Sequence, residues 1–226
     1  MQILRAQRAK GCRQSVSGVA KVYDRGVEPA FSEDVTAFIL AGGKSSRMGV
    51  DKAFLDFDGR TLLERTLELA RSVTGDVRIV GGLEKFAPFA PGVEDIFPGQ
   101  GPLGGIHAAL RSSTSDLNLM LAVDAPFVSR ALLQYLIREA HHAPEATVVV
   151  PCCNGHRQPL CAVYRREFAD AAQRALIAGK NRIDVLFDMV KSRVIDEEEL
   201  ERVGFSAGLF CNLNTPEDVE EKRKRA

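Results

Sequence analysis

Leu40-Ala41-Gly42-Gly43-Lys44-Ser45-Ser46-Arg47-Met48-Gly49-Val50-Asp51-Lys52 is the stretch on which the reading of this chain turns. A short apolar run, 36–40, leads into it, and a segment with Leu63, Leu67 and Ala70 at helical spacing, 62–74, follows it. The order is therefore strand, glycine-rich loop, helix. Gly42 and Gly43 let the backbone turn without a Cβ penalty and bring main-chain N–H groups close to an anion, while Arg47 and Lys52 add fixed positive charge. The loop is not a Walker motif, because no Gly-Lys-Ser/Thr closes a four-residue spacer, and it lacks the dinucleotide GxGxxG pattern. It suits an extended loop in which Arg47 and Lys52 grip the β- and γ-phosphates of a leaving pyrophosphate. A solvated basic turn is the plain alternative, since a glycine pair alone marks many ordinary turns.

Outward from this loop, strands and helices alternate. Asp76 to Val80 is rich in β-branched residues and stops at Gly81-Gly82, and 93–96 reads as a third strand. The loop Pro98-Gly99-Gln100-Gly101-Pro102-Leu103-Gly104-Gly105 comes next, with a helix expected over 106–111. Leu117 to Val123 is almost continuously apolar, as in a strand buried on both faces, and Asp124 stands at its carboxyl end. Ser129 caps a helix reaching His141; strands are expected over 146–150 and 159–164, helices over 167–178 and 183–190, and a short strand over 210–213. Thr215-Pro216-Glu217-Asp218 then starts a last helix at Pro216. The pattern predicts an α/β fold: a three-layer domain over 35–226 with a mostly parallel central sheet. Ligands in such sheets bind beyond the carboxyl ends of the strands, which brings the loops after Leu40 and Ile96 together with Asp124 at one cleft.

Asp124 ends an apolar strand, so its carboxylate needs a hydrogen bond, a charge partner, a capping role or a metal. Beside a triphosphate the natural metal is Mg²⁺, which takes few protein carboxylates and fills its shell with substrate oxygens and water. Capping of the Ala125-Pro126 turn is the alternative. The glycines and prolines of 98–105 let the backbone approach a base or ribose closely, and Asp95 just before them could accept hydrogen bonds from either; a plain strand-to-helix turn is the bland reading.

Composition narrows the class. Thirty basic residues balance thirty acidic ones, so no whole-protein field draws the chain to nucleic acid or membrane, and neither is expected as a partner. Five cysteines form no CxxC pair and no even framework, which fits a reducing cytoplasm and buried packing of Cys152-Cys153. The histidines show no HxxxH spacing, and His141-His142 suit the carbonyls at a helix end. Glu197-Glu198-Glu199 and the tail Lys222-Arg223-Lys224-Arg225 read as solvated charge. Residues 1–34 differ from the rest: Arg5, Arg8, Lys10, Arg13 and Lys21 have no acid among them up to Tyr23, and no continuous apolar core makes a signal peptide. A transit peptide is one reading of this extension, and a disordered or weakly ordered segment is the preferred one.

Taken together, Leu40 to Lys52, Asp95 to Gly105, Ala122 to Phe127 and Asn212 to Asp218 resemble the molybdenum cofactor guanylyltransferase family, within the wider nucleotidyltransferases that share the glycine-rich signature. The resemblance implies a Rossmann-like nucleotidyltransferase domain, Mg²⁺ dependence, a cytoplasmic location, and GTP and molybdenum-molybdopterin as substrates. Molybdoenzymes or cofactor-delivery proteins are implied as further partners. It assigns Leu40, Ala41, Gly42 and Gly43 to the nucleotide, Lys52 to its phosphates, Asp95 to the nucleotide, and Asp124 to both nucleotide and metal. Arg47, Lys52 and Asp124 would be catalytic. Gln158 and Pro159, with Asn212 and Asn214, fall where the family places its pterin-side wall. The family also uses a side chain after the second strand, and here that position is Gly81 or Gly82. CTP-using relatives tend to carry Ala-Ala-Gly where this chain has Ala41-Gly42-Gly43; an alanine methyl at Gly42 would narrow the slot for a purine edge. A cytidylyl- or sugar-phosphate nucleotidyltransferase, and a non-catalytic nucleotide or cofactor carrier, are the rival readings.

Overall fold

A computed structural model describes residues 32–42 and 51–213 of the chain. In chain order the elements are β1 (Val35–Leu40), a 3-10 turn (Lys52–Phe54), β2 (Asp56–Phe57), β3 (Arg60–Thr61), α1 (Leu62–Arg71), β4 (Asp76–Val80), α2 (Leu83–Phe86), β5 (Gly92–Val93) and α3 (Pro102–Ser112). There follow β6 (Leu117–Ala122), α4 (Arg130–His142), β7 (Val148–Cys153), β8 (His156–Arg157), β9 (Cys161–Arg165), α5 (Phe168–Ile177), α6 (Ile183–Phe187), β10 (Ser192–Ile195), α7 (Glu197–Arg202) and a second 3-10 turn (Ala207–Phe210).

The central sheet has eight strands in the order β10-β7-β9-β6-β1-β4-β5, with β8 added to β7. Pairings β1–β4, β1–β6, β4–β5 and β7–β10 are parallel, and β9 runs against both β6 and β7. This is the mostly parallel α/β sheet expected from the alternating pattern. β1 and β6 lie next to each other at its middle, and every residue of each is buried. Their side chains alternate between two cores, as the strand period of two requires. Ala37 and Ile39 pack with α1 and α4 on one face, while Phe38 and Leu40 pack with α3 and α5 on the other. Two helical layers therefore enclose the sheet, and the carboxyl ends of β1, β4 and β6 open toward one edge.

Local signals explain the element starts. Thr61 and Glu64 form a capping box on α1: the Glu64 N–H donates to Thr61 Oγ1 at 3.2 Å and the Thr61 N–H donates to Glu64 Oε2 at 2.8 Å. Ser129 caps α4 by accepting from the Leu132 N–H.

Several boundaries differ from the sequence reading, each for a physical reason. The helix expected from Ile106 begins at Pro102, a proline at the first helical position, so Gly104 and Gly105 are helical rather than loop residues. The strand expected over 93–96 stops at Val93, because Asp95 turns the chain by accepting the Phe97 N–H at 2.9 Å. The strand expected over 210–213 is instead a 3-10 turn followed by extended chain, from which the Leu213 N–H donates to the Asp124 carbonyl at 2.9 Å. β10 and α7 were not expected. Glu199, read as solvated, pairs with Arg193 and accepts from the Tyr135 hydroxyl at 2.8 Å. His141 lies 3.5 Å from the Asp34 carboxylate, and His142 lies 3.8 Å from that of Glu139. The helix expected from Pro216, the basic tail and the extension before Ser32 lie outside the described residues.

Candidate active site

A cavity of about 520 Å³ opens beyond the carboxyl ends of β1, β4 and β6. Leu40, Ala41, Gly42, Lys52, Asp95 and Asp124 all line it, so the structure brings these six expected residues together. Gly43 and Arg47 lie outside the described residues.

Each wall has a local cause. At the end of β1, the Ala41 N–H still reaches the Val80 carbonyl at 3.4 Å, and Gly42 then comes against Gly81. A Cβ on Gly81 would sit 3.1 Å from Gly42 Cα, and its φ of +90° is itself a glycine conformation. The floor comes from β6: the Ala122 N–H donates to the Leu160 carbonyl at 2.8 Å, and two residues later the Asp124 side chain enters the cavity. The opposite wall is the start of α3. A Cβ on Gly104 would lie 2.9 Å from the Phe97 carbonyl oxygen and 3.2 Å from Asp95 Oδ1, and one on Gly105 would lie 3.1 Å from Leu40 Cδ2. Glycine at these positions lets the helix press against β1 and against the Asp95 turn. Behind that turn, His107 is buried and meets the Phe97 ring edge-on at 5.1 Å. Burial first, and the Arg111 charge second, hold its imidazole below the ordinary value.

The polar centre is a pair. Lys52 Nζ stands 3.3 Å from Asp124 Oδ2, with both side chains about a quarter or less exposed, at 26% and 20%. Lys52 opens a 3-10 turn whose cap is Asp51: the Asp51 Oδ1 accepts the Ala53 N–H at 3.0 Å. Among the described residues, no group of three or more His, Cys, Asp or Glu is arranged to hold a metal. A cation at Asp124 would therefore take most of its ligands from phosphate oxygens and water. That donor set, the hard carboxylate of Asp124 in an open cavity that Asp51 and Asp95 also line, fits Mg²⁺ and does not fit a structural zinc.

The remaining expected residues stand differently. Leu160 lines the cavity, whereas its neighbours Gln158 and Pro159 do not. Gln158 spends its polar groups locally, donating its N–H to the Pro151 carbonyl at 2.9 Å and its Nε2 to the His156 carbonyl at 3.1 Å. Asn212 is exposed and adjoins Leu213, which is bonded to the Asp124 backbone; Asn214 lies outside the described residues. Asp51 and Gly81 also line the cavity. The sequence reading includes Asp51 in the glycine-rich stretch and gives Gly81 or Gly82 as the position after the second strand, but assigns neither a contact.

The family description that matches residues 37–195 is that of the MobA-like NTP transferase domain. The chain belongs to this family. A molybdenum cofactor guanylyltransferase from Desulfosudis oleivorans is 36% identical to the transferase over 192 residues, which are 83% of this chain and 93% of that one. A probable molybdenum cofactor guanylyltransferase from Carboxydothermus hydrogenoformans is 32% identical over 193 residues, 85% of this chain and 96% of its own. The crystal structure of molybdopterin-guanine dinucleotide biosynthesis protein A from Archaeoglobus fulgidus superposes with a TM-score of 0.72 at 28% identity, covering 84% of the transferase and 97% of that chain. No helix among the described residues of the transferase is long and apolar enough to cross a membrane.

Proposed function

We propose that this transferase moves GMP from GTP to the terminal phosphate of molybdenum-molybdopterin, forming the guanine dinucleotide cofactor and pyrophosphate in the cytoplasm. The relatives' names supply the substrates. The observation that carries the chemistry is Lys52 beside Asp124 at the floor of a cavity whose walls include several glycines and Asp95.

A phosphate oxygen of the pterin substrate attacks the α-phosphorus of GTP. The new P–O bond forms as the bond to the bridging αβ-oxygen breaks, and the electron pair leaves with pyrophosphate. The attacking oxygen is already anionic at neutral pH, so positioning and charge neutralisation carry the step and no strong base is required. Lys52, with Arg47, places positive charge against the departing pyrophosphate. Asp124 would hold Mg²⁺, which when bound supplies further positive charge to the phosphate oxygens. Asp95, fixed by its bond from the Phe97 N–H, accepts hydrogen bonds from the nucleotide. Gly42 and Gly81 line the cavity with no side chain, so that main-chain groups there can meet a purine edge.

Pyrophosphate release tests this reading. With Mg²⁺ and molybdenum-molybdopterin, release is expected from GTP and much less from CTP, ATP or UTP. Preference for CTP would favour a cytidylyltransferase, and nucleotide binding without release would favour a carrier.

A further inference from the structure

We propose that Lys85 is a positioning residue for the transfer reaction, gripping the turn that presents Lys52 to the cavity and acting through Lys52 without touching substrate. This rests on the reading that Lys52 serves the reaction.

Lys85 lies on α2, 34 positions from its partner Asp51, and its ammonium pairs with Asp51 Oδ2. The other oxygen of that carboxylate is the cap of the Lys52 turn, receiving the Ala53 N–H at 3.0 Å. One carboxylate thus joins α2 to the turn. The same ammonium sits over two rings, 4.9 Å from the centroid of Phe54 and 5.2 Å from that of Phe86. Those rings stack on each other at 5.9 Å and 22°. Phe54 closes the turn that Lys52 opens, so α2 holds the turn at its cap and at its last residue.

The approach of α2 depends on the glycine pair after β4. Gly82 is the helix N-cap at φ +57°, and a Cβ there would meet Phe86 Cε2 at 2.9 Å. A side chain at that position would push Phe86, and with it Lys85, off the turn. Asp51, Lys52 and Gly81 line the cavity, and Lys85 is not among the lining residues. Its effect on the reaction must then pass through the turn. Both members of the ion pair are about a third or more exposed, at 42% and 31%, so the pair contributes little to global stability, and its consequence lies in where Lys52 points.

Lys85→Met keeps the aliphatic length over the rings and removes the charge. In the full-length chain, it is expected to lower kcat/KM for GTP by roughly tenfold, the scale of loss that small misplacement of a catalytic group produces. Amide hydrogen exchange at Ala53, Phe54 and Leu55 should accelerate, with the thermal midpoint nearly unchanged. Lys85→Arg should restore most of both. In a Lys52→Ala background, Lys85→Met should add no further loss of activity while still accelerating exchange. Unchanged exchange at the turn overturns the proposal, and so does an equal loss of activity in both backgrounds, which would make Lys85 a substrate contact. If the wild-type chain releases no pyrophosphate from GTP, the functional reading fails separately, and exchange at 53–55 still decides whether Lys85 grips the turn.

Discussion

Lys52 and Asp124, 72 positions apart in the chain, face each other at 3.3 Å across the cavity floor. One follows the glycine-rich loop after β1, and the other stands just beyond the neighbouring strand β6. The parallel β1–β6 register, in which Leu40 pairs with Ala122, sets the end of β1 beside the strand that leads to Asp124. The pair is partly solvated, so it stabilises the fold by only about 1 kcal/mol or less. Stabilising the charge of a departing pyrophosphate is worth more, about 3 kcal/mol of barrier per group. Lys52→Ala and Asp124→Ala are therefore each expected to lower GTP turnover roughly a hundredfold or more while moving the unfolding midpoint little. Steady-state pyrophosphate release beside thermal melts checks this. Near-wild-type turnover in a folded variant would remove these residues from the reaction.

Gly104 lies in the first turn of α3, where an added Cβ would meet both the Phe97 carbonyl and Asp95. A methyl at 2.9 Å from a backbone oxygen cannot be relieved by rotating a side chain, so Gly104→Ala must shift the Asp95 turn or the helix. Overpacking of this kind costs about 1–3 kcal/mol. If Asp95 binds the nucleotide, the apparent affinity for GTP should fall about tenfold or more, as measured by titration calorimetry with MgGTP. An affinity equal to wild type would place the nucleotide elsewhere.

Among the described residues no cluster of three or more possible metal ligands is present, so the Mg²⁺ proposed at Asp124 would be a companion of the substrate and not a strut of the fold. Chelation by EDTA is expected to abolish pyrophosphate release and leave the thermal midpoint where it was, with activity returning on addition of Mg²⁺. Loss of folded structure on chelation would indicate a metal held by the protein itself.

The site was legible where one residue type has few tolerable fates. An aspartate closing a buried strand, and a lysine after a glycine-rich turn, announce themselves in sequence, and the strand-end rule for parallel sheets joins them. What sequence could not give are contacts set by distance between backbones. Gly104 and Gly105 read as loop because glycine is a poor helix former, yet they are helical because α3 must pass within van der Waals contact of Leu40 and Phe97. β10 escaped notice because its four residues are only partly buried until Ile195 and carry no alternating pattern. Glu199 read as one of three solvated acids because its partners Arg193 and Tyr135 come from β10 and α4, a meeting that only the folded chain arranges.

That Glu199 contact has a pH signature. Hydrogen bonds from Arg193, followed by the Tyr135 hydroxyl, hold the Glu199 carboxyl below its ordinary value of 4.5 despite the opposing effect of burial. A depressed folded value means that the unfolded chain binds the proton more readily, so stability rises with pH across this window. The contribution is complete above 4.5 and is lost as pH falls through the lower, folded value. Asp76, lowered by its bonds from Arg78 and Thr36, adds a contribution of the same sign. Glu199→Gln keeps the shape and removes the charge, and the difference in urea unfolding free energy between wild type and variant should be about 1 kcal/mol at neutral pH, shrinking toward zero as pH drops below the glutamate range. A difference that stays constant from neutral to acid pH would show that the carboxylate charge is not what Arg193 and Tyr135 stabilise.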